Sequence, residues 1–190
     1  MQKQRINSSI MTITTAAISV ALITVCAWIS IPAFGPFVPF TLQTLAVFVI
    51  GALFDLKTGV ISLCVYILLG TFGVPVFSGF KSGIGAVTGP TGGYILGFLF
   101  AVITICLFKK IKSDSIVCLA IGMIAGLIVC YTFGTIWFYL VFMHNGETKS
   151  ILSILGMCVV PFIIPDLVKM AAAVVLANRV SVPLKKMGFV

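Results

Sequence analysis

Pro165-Asp166-Leu167-Val168-Lys169 stands inside an apolar run, from about 151 to 177, that is long enough to cross a bilayer. On insertion scales a carboxylate or an ammonium at mid-membrane costs roughly 2.5–3.5 kcal/mol each. A chain that keeps both in its last span needs either a pairing that cancels them or a use for them. At i and i+3 the two side chains share one helix face, within reach of each other or of a common partner. One reading is an ion pair that only fastens helices together. The other is a binding site inside a bundle, with Lys169 meeting an anionic group and Asp166 accepting hydrogen bonds. Ionisable residues within a membrane favour the second.

Composition supports the membrane. Of 190 residues, 61% are hydrophobic and 8% charged, with a mean hydropathy of +1.26, where a soluble domain carries about 25% charged residues. The fold class that follows is an all-α integral membrane protein, a single membrane domain over 1–190 whose first partner is the lipid bilayer. The net charge of +8 raises the question of nucleic acid. The basic residues are scattered between apolar stretches and form no continuous patch, so no nucleic-acid partner is expected. The six cysteines fall in apolar runs without a C-x-x-C spacing, and the single His144 lies in a loop far from them. Neither a metal site nor a disulfide framework is expected.

Apolar runs of membrane-crossing character lie at about 10–31, 41–54, 59–76, 91–108, 116–143 and 151–177. They predict a bundle of six transmembrane helices. The second is short for a full crossing and is read as tilted or partly re-entrant. A Pro- and Phe-rich link over 32–40 precedes it, which no regular helix tolerates. Asp55 and Lys57 mark a tight turn, and a Gly-rich segment fills 70–93. An even number of crossings puts both termini on one side. That side then holds Lys3, Arg5, Lys57, Lys109, Lys110, Lys112, Arg179, Lys185 and Lys186, against Lys81 and Lys149 on the other. Basic residues collect on the cytoplasmic side, so both termini are expected in the cytoplasm of a multi-pass membrane protein. The link and the Gly-rich segment then share the outer face, placed to close over a ligand.

The Gly-rich segment begins a G-x-G at Gly83-Ile84-Gly85, but Thr88 stands where the third glycine belongs and no G-K-[ST] occurs anywhere. No ATP site is expected in this chain. Small residues four apart, at Ala17 and Ala21, Gly93 and Gly97, and Gly122 and Gly126, permit close helix approach in lipid. Such patterns serve packing within a bundle as readily as a partner.

Several blocks together resemble one family. They are Pro39-Phe40-Thr41-Leu42-Gln43-Thr44-Leu45-Ala46, then Tyr66-Ile67-Leu68-Leu69-Gly70 with Gly73-Val74-Pro75-Val76-Phe77, then Gly89-Pro90-Thr91-Gly92-Gly93-Tyr94, and finally Pro161-Phe162-Ile163-Ile164-Pro165-Asp166-Leu167 with Lys169. In this order, across nearly the whole chain, they are similar to BioY, the biotin-specific substrate-binding (S) component of energy-coupling-factor (ECF) vitamin transporters. The resemblance implies a six-helix bundle with the vitamin site near its outer face, capped by the first and third loops. It also implies partners: a transmembrane T protein and two ATPase subunits, docked through helix one at Ala17 and Ala21. No cofactor is implied, only biotin as ligand.

Biotin carries a carboxylate, a ureido ring that both donates and accepts hydrogen bonds, and an apolar thiophane body. Lys169 is expected to meet the carboxylate and Asp166 the ureido donors, with Gln43, Thr91 and Tyr94 as further contacts that alternatively hold their own loops in shape. No ureido partner is assigned in Ser78-Gly79-Phe80-Lys81. The residues also admit an S component for another anionic vitamin, or a stand-alone secondary transporter with Asp166 coupling protons. An intramembrane enzyme lacks support, since Asp166 has no second carboxylate, histidine or metal cluster to work with in the spans.

Overall fold

The computed structural model describes residues 2–31, 38–111, 115–146 and 150–186. The Pro- and Phe-rich link from 32 to 37, together with Lys112 and Lys149, lies outside them. The chain order is α1 (Gln2–Trp28), β1 (Ser30–Ile31), β2 (Phe40–Thr41), α2 (Gln43–Leu53), α3 (Leu56–Thr71), a 3-10 turn (Ser78–Phe80), α4 (Ile84–Thr88), α5 (Gly92–Ile111), α6 (Ile116–His144), α7 (Ile151–Cys158) and α8 (Val160–Lys186). Four helical stretches are long and apolar enough to cross a membrane: Ser9–Trp28, Gly92–Ile111, Ile116–His144 and Ile151–Ser181. The apolar helices α2 and α3 are shorter, about 16 and 24 Å at 1.5 Å per residue.

Local chemistry sets the helix ends. Asp55 caps α3, its carboxylate accepting from the Thr58 N–H at 3.3 Å. Ser115 and Ser150 do the same for α6 and α7, accepting from Cys118 N and Ser153 N. The Asp55 turn is therefore a helix start, with Lys57 already inside α3.

The last apolar run departs from its expected form. Instead of one helix over 151–177, the chain breaks at Val159, where φ is −123° and ψ is −57°. Pro161 has no N–H to continue the ladder of α7, but it is tolerated in the first turn of a new helix. The run therefore becomes α7 and α8. Pro165 lies one residue before Asp166 and removes a second ladder bond within α8.

The bundle packs α5 along α6, α2 against α8 and α5, and α1 against α3 and α2. The glycine pairs belong to the α5–α6 seam. A Cβ at Gly97 would stand 3.1 Å from Cys130 O, and one at Gly126 would stand 3.0 Å from Ala101 O, so larger side chains would push the helices apart. The alanines of α1 behave differently. Thr15, Ala16, Ser19 and Val20 face inward, while Ala17 and Ala21 face out beside the exposed Ile13, Ile18, Leu22 and Val25. β1 and β2 form a two-residue antiparallel pair, Ser30 opposite Thr41 and Ile31 opposite Phe40. This ladder returns the chain to α2 at one end of the bundle, above the charged pair of α8.

Candidate binding site

Asp166 and Lys169 meet directly. Lys169 Nζ lies 2.7 Å from Asp166 Oδ1, and both side chains are buried. A buried ion pair tolerates its loss of hydration only when the remaining donors and acceptors are also met. Lys169 donates to the Thr41 carbonyl at 2.6 Å and to Thr44 Oγ1 at 3.0 Å. An ammonium has three N–H donors, so all three are engaged. The Phe40 ring lies beneath the same ammonium, its centroid 4.1 Å away, close enough for a cation–π contact. Asp166 accepts from Thr44 Oγ1 at 2.8 Å on Oδ1 and from the Tyr131 hydroxyl at 2.6 Å on Oδ2. One acceptor position on Oδ2 is left over from these bonds.

The five candidates from the sequence line one cavity. Asp166, Lys169, Gln43, Thr91 and Tyr94 all border it. Gln43 is committed within the protein: its amide donates to the Tyr66 hydroxyl at 2.8 Å, and its carbonyl accepts from Thr41 Oγ1 at 3.1 Å. Tyr66 in turn donates to Val76 O at 3.1 Å. Gln43 thus ties the start of α2 to α3 and to the loop beyond it. Thr91 opens α5, its carbonyl accepting from Tyr94 N and Ile95 N. The Tyr94 hydroxyl stands 3.4 Å from Thr135 Oγ1, and its ring, with Phe77, Phe98 and Phe162, supplies apolar wall.

The 72–91 segment lines this cavity with Phe77, Ser78, Lys81, Ala86 and Thr91 and is pinned at several points. The Trp28 indole donates to Pro75 O at 2.8 Å, the hydroxyls of Ser30 and Ser78 are 2.9 Å apart, and Gly83 N donates to Gly70 O at 2.7 Å. Trp137 Nε1 donates to Gly89 O at 3.0 Å. Phe77 is buried edge-on to Tyr66, with centroids 5.4 Å apart.

Reading the sequence missed the residues that complete the site. Thr41 and Thr44 flank Gln43 in the Thr-Leu-Gln-Thr block and carry hydroxyls at the start of a helix, a signal that was available. Tyr131 comes from the middle of α6, where only its polar tip within an apolar helix hints at a role. Lys81 and Ser78 also line the cavity, in the very segment to which no contact had been assigned. A small, largely apolar cavity with polar groups contributed by α2, the 78–81 turn, α6 and α8 suits a ligand that is apolar in its body and carries separate polar groups.

The chain is similar to proteins already known. The model of the BioY family matches residues 1–186. The biotin transporter BioY of Thermotoga maritima is 41% identical over 164 residues, covering 86% of this chain and 92% of that protein. The biotin transporter BioY2 of Lactococcus lactis subsp. cremoris is 36% identical over 132 residues, covering 69% and 71%. Among solved structures, the S-component for biotin from an ECF-type ABC transporter superposes with a TM-score of 0.79 at 30% identity over 92% of each chain. Carrying the blocks of that family in order and its fold over nearly its full length, the chain belongs to the BioY family.

Proposed function

We propose that this chain is the membrane-embedded biotin-binding subunit, the S component, of an ECF-type transporter for biotin uptake. It is a transporter component and not an enzyme. Membership of the BioY family and the likeness to the S-component for biotin carry the substrate class. The observation that carries the site is the buried Asp166–Lys169 pair in the lining of a largely apolar cavity to which the 72–91 segment also contributes.

In this reading Asp166 uses its remaining acceptor position on Oδ2 for a ureido N–H. Thr44 and Tyr131 hold its carboxylate in place while it does so. Lys169 turns one of its N–H donors from the Thr41 carbonyl to the carboxylate of biotin. Tyr94, Phe77 and Phe98 enclose the thiophane body and Thr91 borders the ligand, while Gln43 acts through Tyr66 by fixing the loop. The bundle crosses the bilayer six times, α2 and α3 each crossing as shorter helices and α7–α8 as one broken span. Both termini then lie in the cytoplasm and the cavity opens outward. Energy comes from other chains, a T protein and two ATPases, with the outward face of α1 at Ala17 and Ala21 as the docking surface.

The test is titration of biotin, and of other carboxylate-bearing vitamins, into the purified chain in detergent without any gradient. Saturable binding of biotin alone is the expected result. Binding of another vitamin in preference to biotin would sink the substrate assignment.

A further inference from the structure

The charges around the cavity do not cancel. Its lining contains three charged side chains, Lys81, Asp166 and Lys169. Asp166 and Lys169 neutralise each other at 2.7 Å, and the ammonium of Lys169 already has an acceptor for every N–H. A carboxylate entering beside this pair would bring an unbalanced negative charge into a poorly hydrated space, which is costly. Lys81 supplies the surplus positive charge. No hydrogen bond or ion pair engages its ammonium among the described residues.

The backbone presents Lys81 deliberately. The turn 77–81 closes with Phe77 N donating to Lys81 O at 3.1 Å. Two successive residues inside it have positive φ: Gly79 at 66° and Phe80 at 60°. Phe80 is the one non-glycine residue with positive φ among the described residues, an unfavourable conformation for a bulky side chain that persists only where the surroundings impose it. Here they do. The Phe80 ring stacks on Trp28 at 5.1 Å, and Ser78 is tied to Ser30. Strain held in place by neighbours is a recurring feature of ligand clamps. In this turn it fixes the root of a cationic side chain at the rim of the cavity.

We infer that Lys81 is a second anion-recognition residue, balancing the carboxylate of the ligand from the exposed side of the cavity while Lys169 meets it from the buried side. The inference rests on the receptor reading and deepens it. The cavity with Lys81 carries one net positive charge and matches a monoanionic ligand; without Lys81 it is neutral and matches an uncharged one. Discrimination between an acid and its amide therefore resides partly at position 81.

The experiment is calorimetric titration of biotin and biotinamide into the wild type, Lys81→Gln and Lys81→Arg. At low ionic strength Lys81→Gln should weaken biotin about three- to tenfold and biotinamide less than about twofold, with Lys81→Arg close to wild type for both. Raising salt should narrow the acid-over-amide preference of the wild type and change that of Lys81→Gln little. Equal weakening of acid and amide, or an arginine variant as impaired as the glutamine, would mean that Lys81 shapes the loop and would overturn the inference. Unchanged biotin binding by Lys81→Gln would overturn it too, leaving the receptor reading intact. A wild type that binds no biotin would overturn both.

Discussion

The hydroxyl of Tyr131 lies 2.6 Å from Oδ2 of Asp166, joining the middle of α6 to α8. Hydrogen bonds to a charged group contribute more than neutral ones, about 1.5–3 kcal/mol. Tyr131→Phe keeps the ring and removes that bond. We predict weaker binding of biotin and biotinamide alike, by about 1–2 kcal/mol, because the ureido acceptor loses its anchor while the carboxylate partners stay in place. Titration of both ligands checks this. A loss confined to the acid would assign Tyr131 to the wrong end of the ligand.

The charged pair makes separate demands on folding and on binding. Lys169→Ala leaves Asp166 buried without its counter-ion, and breaking such a pair costs about 3–5 kcal/mol. A lower melting temperature in detergent is expected. Biotin should weaken by about 1.5–3 kcal/mol and biotinamide by less, whereas Asp166→Asn should weaken both similarly. The double variant Asp166→Leu/Lys169→Met removes both charges in roughly matching volume and should recover much of the stability without recovering binding. Recovered binding in the double variant would reduce the pair to a fastening between helices.

The outward face of α1 offers a test of partnership. Ala17 and Ala21 are exposed on the outward side of α1, so replacing both by Leu should leave biotin titration nearly unchanged. Uptake by vesicles containing the complete ATP-driven transporter should fall to background, because bulky side chains block close backbone approach. Uptake at the wild-type rate would place the partner elsewhere.

Topology can be read with thiol labels. With the six native cysteines replaced, a single cysteine at Lys110, in the basic last turn of α5, should label from the cytoplasmic side. One at Asn145, after α6, should label from the outside. Labelling of both from the same side would refute the six-crossing arrangement.

Much of this protein is legible along the chain because hydropathy is a local and additive quantity. Residues 92–111 and 116–144 had to become long apolar helices whatever they packed against. The i, i+3 spacing likewise put Asp166 and Lys169 on one face before any fold was known. The break at Val159 was less legible. Pro161 can sit inside a kinked membrane helix or start a new one, and the choice depends on what α7 and α8 pack against.

The partners of the charged pair belong to another level. Thr44 reaches Asp166 across 122 positions, Tyr131 across 35, and Thr41 reaches Lys169 across 128. No periodicity encodes those distances; they exist because α2, α6 and α8 converge beneath the 72–91 loop. The two kinds of small-residue motif make the same point. Ala17 and Ala21 share the spacing of Gly93 and Gly97, yet the alanines face outward while Gly97 meets Cys130 across the α5–α6 seam. Spacing establishes that two helices can approach closely, but the direction in which a helix turns that face is settled by the packing of all its other residues at once.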